Sequence, residues 1–105
     1  MTPAARVQAA IELLAQIEAL DRPADGVVRG YLRARRYIGS KDRRAISDLV
    51  YGVLRARARL DWWIGRVSSA APAPRSRAIA YLALESATPA GNAATLFDGG
   101  RYHPP

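Results

Sequence analysis

Apolar side chains recur at three- and four-residue spacing through most of this chain, and the breaks in that spacing divide it into helices. From Ala4 to Leu20 they fall at Val7, Ala10, Ile11, Leu14, Ile17 and Leu20, which places them on one helical face. Thr2 followed by Pro3 fits an N-cap with proline at the first helical position. Asp21-Arg22-Pro23 ends this helix, and Pro23 opens a second whose apolar face is Val27, Val28, Tyr31 and Leu32. The second helix is predicted to fail near Tyr37–Gly39, with Gly39 as its stop and Ser40 as the cap of a third.

In the third helix Ile46, Leu49, Val50, Val53 and Leu54 repeat at helical spacing, and Leu60, Trp63, Ile64 and Val67 continue the pattern. So long a pattern in a small chain predicts a kink or break near Arg59–Asp61, with Asp61 capping a short helix that carries Trp62–Val67. Ser68–Pro74 is a loop by composition, and Ile79, Leu82 and Ala83 mark a short helix from about Pro74 to Glu85. Beyond it Thr88–Asn92 is a turn, Ala93–Phe97 a helical turn and Asp98-Gly99-Gly100 a stop, while Arg101–Pro105 has no periodicity. No segment alternates like a strand, so the expected fold is all-α with four to five helices.

With 105 residues there is room for one small domain with a modest core. A formal net charge of +7 and a pI of about 10.8 turn the search for a partner toward polyanions, either nucleic acid or an anionic membrane surface. Fifteen of the sixteen basic residues are Arg and only Lys41 is Lys. That skew accompanies heavy Ala, Gly and Pro use and so reads first as codon bias, with bidentate phosphate binding a weaker inference. The absence of Cys excludes disulfides, thiolate metal sites and a Cys nucleophile. Glu12 and Glu18 interrupt any signal-like apolar run, and the longest apolar run, Ala78–Leu84, is too short to span a bilayer. A cytoplasmic protein is expected, with no membrane as partner.

The strongest constellation lies between Arg33 and Arg44, where Arg33, Arg35, Arg36, Lys41, Arg43 and Arg44 face one acid, Asp42. These residues straddle a helix end, a loop and a helix start, where side chains fan out and backbone N–H groups add a further anion site. The competing reading is a solvated polar face with local pairs such as Arg44 with Asp48. Tyr37, between Arg36 and Ile38, is the best stacking candidate. A second cluster, Arg55, Arg57 and Arg59, is explained as well by the helix dipole as by binding. Trp62 and Trp63 offer a stacking platform, but at least one is expected to pack in the core. His103 is the only His and has no carboxylate at ligand spacing, and Gly99-Gly100 opens no helix, so no metal site and no nucleotide loop is expected. The acids are dispersed. No catalytic and no cofactor-binding residue is assigned.

Arg35-Arg36-Tyr37-Ile38-Gly39-Ser40-Lys41-Asp42-Arg43-Arg44, then Leu49-Val50-Tyr51-Gly52-Val53-Leu54-Arg55 and Leu60-Asp61-Trp62-Trp63, resemble the N-terminal NusB-like domain of the bacterial 16S ribosomal RNA cytosine-5 methyltransferase B (Sun) family. The resemblance extends to Phe97-Asp98-Gly99-Gly100-Arg101-Tyr102. It implies a NusB-like helical bundle ahead of a Rossmann-like catalytic domain, which transfers a methyl group from S-adenosylmethionine to cytosine C5 through a Cys nucleophile. It further implies that residues 1–105 are an RNA-binding domain lacking its own C-terminal part and the catalytic domain, with ribosomal RNA and that missing domain as partners. An incomplete core would then expose apolar surface and favour self-association. Arg35, Arg36, Lys41, Arg43 and Arg44 carry over as RNA contacts, and Leu49, Val53, Leu60 and Trp63 as fold determinants. The alternatives are a helical protein-interaction module and a free-standing antitermination factor like NusB.

Overall fold

The computed structural model of the chain describes residues 1–84, and the expected turn at Thr88–Asn92, helical turn at Ala93–Phe97, glycine stop, Phe97–Tyr102 segment and His103 lie outside the described residues. Four helices follow one another: α1 (Pro3–Ala19), α2 (Ala24–Ala34), α3 (Ser40–Val67) and α4 (Pro74–Leu84). No strand occurs among the described residues, so the expected all-α class holds.

Thr2 caps α1 as its sequence predicts, the hydroxyl accepting from the Ala5 N–H at 3.1 Å with Pro3 at the start. The buried arc of α1 is broader than the predicted stripe and includes Ala9 and Leu13 beside Val7, Ala10, Ile11 and Leu14. The reason is that α1 packs against α2, α3 and α4, so neighbours cover it from more than one side. Val27, Val28, Tyr31 and Leu32 are buried on α2 as expected. That helix stops at Ala34, a little before the predicted end.

The third helix runs unbroken for 28 residues, which corrects the break expected near Arg59–Asp61. Ile46, Leu49, Val50, Val53, Ala56, Leu60 and Ile64 keep to one face along its whole length, and α1 and α4 both pack against α3. Continuous burial removes the reason to kink. Asp61 caps nothing; its carboxylate instead accepts from Arg77 Nε at 2.8 Å and Nη2 at 3.3 Å. The N-cap of α3 is Gly39, with no side chain bonded there, and Ser40 is the first helical residue.

Leu13, Ile46, Leu60, Val50 and Val53 form the fully buried centre. Removing the Leu60 side chain to Ala should cost roughly 2–5 kcal/mol, the range for large-to-small changes in a packed core. Gly52 on α3 faces Tyr81 of α4, and a Cβ there would overlap the Tyr81 phenol. Neither tryptophan is core: Trp62 is 58% and Trp63 40% exposed, which corrects the expectation that at least one would be.

Candidate nucleic-acid interface

The turn from α2 to α3 gathers the predicted basic residues at one corner, and it sorts them into two kinds. Arg43, in the first turns of α3, reaches back and donates from Nε to the Ile38 carbonyl at 2.7 Å and from Nη2 to the Arg35 carbonyl at 3.1 Å. These bonds tie the start of α3 to main-chain carbonyls of the turn, where the Arg35 carbonyl also accepts from the Ile38 N–H at 3.1 Å. Arg35 lays its guanidinium 3.6 Å from the centre of the Tyr31 ring and donates to the Tyr31 carbonyl at 3.2 Å. The Tyr31 hydroxyl in turn donates to Glu12 on α1 at 2.9 Å. Burial and that acceptor push the Tyr31 phenol up to about 12, so it stays a donor at any physiological pH.

Arg33, Arg36, Tyr37, Lys41 and Arg44 are exposed around this pinned turn. Tyr37 is 78% exposed. Arg44 is not joined to Asp48 among the described residues, so the local pairing that helical spacing allows is not made. Asp42, the one acid in the cluster, is engaged by Arg6 of α1 at 2.6 Å. That hydrogen bond holds its carboxyl below the ordinary value. The corner therefore faces solvent with four exposed cations and a tyrosine, and its acid is occupied from behind. With no side chain at the Gly39 cap, the first N–H groups of α3 add positive potential to the same place.

The second predicted cluster does not stay together. Arg57 turns to Glu18 at 3.8 Å and Asp61 at 3.9 Å, joining a seam in which the buried Arg77 meets both acids. Arg55 and Arg59 face away from that seam, beside a cleft of about 160 Å³ shared with Gly52, Ala56 and Tyr81. Sequence reasoning did not find Arg77 as a structural residue, because its partners lie on two other helices. At the far end of α3 an open apolar groove of about 430 Å³ runs between α3 and α4, lined by Trp63, Ile64, Val67, Ile79, Ala83 and Leu84. Val67 is 74% exposed there.

Among the described residues no group of His, Asp and Glu could hold a metal ion, and no helix is long and apolar enough to cross a membrane. The model of the NusB family matches residues 4–89. The chain belongs to the NusB family. The NusB match takes in α2, α3 and α4 whole and all but the first residue of α1, so the basic corner and the groove are both parts of the family domain. Among curated proteins, ribosomal RNA small subunit methyltransferase B of Erwinia tasmaniensis is similar, 39% identical over 49 residues. That stretch is 47% of this chain and 11% of the relative's length. No solved structure matches.

Proposed function

We propose that this NusB domain is the RNA-binding accessory part of an S-adenosylmethionine-dependent 16S ribosomal RNA cytosine-5 methyltransferase of the cytoplasm. On this reading the chemistry and the S-adenosylmethionine site belong to a separate catalytic domain, which is the domain's protein partner. The observation that carries the proposal is the exposure of Arg33, Arg36, Lys41 and Arg44 around a turn that Arg35 and Arg43 hold rigid. Side chains fixed at a corner with their charges uncancelled suit a phosphate backbone, which presents anions at regular intervals. Likeness to the ribosomal RNA methyltransferase over 49 residues supports ribosomal RNA as the polyanion.

The test is a salt titration of RNA binding. At low salt, reversing Arg33, Arg36, Lys41 and Arg44 to Glu together should abolish most affinity for a fragment of 16S ribosomal RNA while the helical circular dichroism stays unchanged. Retained affinity in that folded variant would refute the corner as the contact surface.

The apolar groove favours a second reading, in which the domain docks a protein, either its own catalytic domain or a second copy of itself. Binding that survives high salt but is lost in Val67→Asp, at an exposed position, would favour it. A free-standing antitermination factor is the third possibility, and capture of a methyltransferase catalytic domain by this chain would argue against it.

A further inference from the structure

The exposed face of α3 does not end with the basic corner. At about 100° per residue, Lys41, Arg44, Arg55, Arg59, Trp62 and Arg66 fall within one narrow stripe, on the side of the helix away from Ile46, Val53, Leu60 and Ile64. Every one of the six is exposed. Lys41 and Trp62 are separated along that stripe by about 30 Å at 1.5 Å per residue.

Acids are scarce on this face. Of the three on α3, Asp42 is bonded to Arg6 and Asp61 to Arg77, so Asp48 alone faces outward among the cations. Trp62 stands at the far end with its ring mostly in solvent. Its neighbour Trp63 turns to the apolar groove, and the two rings meet edge to face at 5.7 Å. Burial therefore does not account for Trp62. Arg66 lies over its ring at 4.9 Å and braces the indole on the helix surface. Arg55 lies between the two ends, beside the cleft against Tyr81.

We propose that Trp62, braced by Arg66, is a stacking platform for an unpaired base of the same RNA strand that the corner holds by its phosphates. Arg55 contacts the phosphates between the two. The proposal rests on the RNA-binding reading and extends it. It assigns the domain a single-stranded ligand, because a base in a duplex cannot present its face to an indole. A phosphate-only surface has no use for an exposed tryptophan. A stripe of arginine ending in one suits a strand that lies along α3 with a base at its end.

The experiment uses the full 105-residue chain and an unstructured oligouridine long enough to span α3. In the Trp63→Phe background Trp62 is the sole tryptophan, and its fluorescence should be quenched as the oligonucleotide binds. Trp62→Ala should weaken oligouridine binding about tenfold, within the range for loss of one base–aromatic stack, and Trp62→Phe should recover most of it. A ribose-phosphate oligomer of equal length without bases should bind Trp62→Ala and wild type alike. If Trp62→Ala binds oligouridine as wild type does, while reversal of the four corner cations abolishes binding, the platform is wrong and the RNA-binding reading stands. If neither variant alters binding, both are wrong. If Trp62→Ala leaves oligouridine binding unchanged and instead abolishes self-association in sedimentation, the residue serves a protein contact and the proposal is overturned.

Discussion

At the α2–α3 corner Arg35 and Arg43 donate to main-chain carbonyls, whereas at the seam between α1, α3 and α4 Arg57 and Arg77 meet the carboxylates of Glu18 and Asp61. A carbonyl oxygen fixes a guanidinium without cancelling its charge, and a carboxylate does both. The corner thus gains a rigid backbone while keeping its full positive field, and the seam closes three helices together at almost no net charge. One residue type serves binding in the first region and assembly in the second. The difference lies in what accepts its hydrogen bonds.

That contrast fails if both sets of arginines respond alike. The largest expected effect is on affinity: reversing Arg33, Arg36, Lys41 and Arg44 should lower RNA binding by more than about a hundredfold at low salt, whereas Arg57→Glu, on the seam, should change it far less. Next comes stability. Arg77→Ala leaves Asp61 without the guanidinium that holds it and should cost about 2 kcal/mol in urea unfolding, below the range for a fully buried pair because Asp61 is partly exposed, with RNA affinity of the folded fraction retained. Arg43→Met should cost less, about 1 kcal/mol, yet it should also weaken RNA binding because the turn that presents its neighbours loosens. Equal affinity in Arg43→Met and wild type would show that the corner needs no such pin.

Smaller again is the change in salt slope. Each of Arg36→Ala and Lys41→Ala should flatten the plot of log affinity against log salt by about 0.7 for a single strand, and Arg77→Ala should leave it unchanged. The least effect is set by acid. Because Arg6 holds the Asp42 carboxyl low in the folded protein, the pair stabilises fully at neutral pH and down to the ordinary carboxylate value, near about 4. Its contribution disappears as pH falls through the lowered folded value. The urea midpoint of wild type should therefore drop toward that of Asp42→Asn in strong acid, and the two should differ most above the carboxylate range.

Helix identity was legible because most of the buried positions on α1, α2 and α3 keep the apolar spacing, although α1 also buries Ala9 and Leu13 and leaves Leu20, at its C-cap, exposed. The uninterrupted course of α3 was not, since a long pattern and an aspartate at residue 61 fit a cap as well as an ion pair. What decides between them is Arg77, sixteen residues later, brought to Asp61 only by tertiary packing. The corner's charge was equally readable, but the division of labour within it was hidden. Arg35 and Arg43 bond to main-chain carbonyls, which every position carries and no sequence pattern distinguishes. Trp63 misled for a related reason: it continues the apolar stripe, and that stripe runs past the core into an open groove.

The near-contact of Gly52 with the Tyr81 phenol joins two positions on different helices into one decision. A methyl group at residue 52 has room only if the ring at residue 81 gives way, so Gly52→Ala should be poorly tolerated with Tyr81 and better tolerated with Leu there. Over evolutionary time the two sites should then vary together, and a descendant that has gained a side chain at the first should have lost bulk at the second. The spacing between α3 and α4 would be inherited as a matched pair.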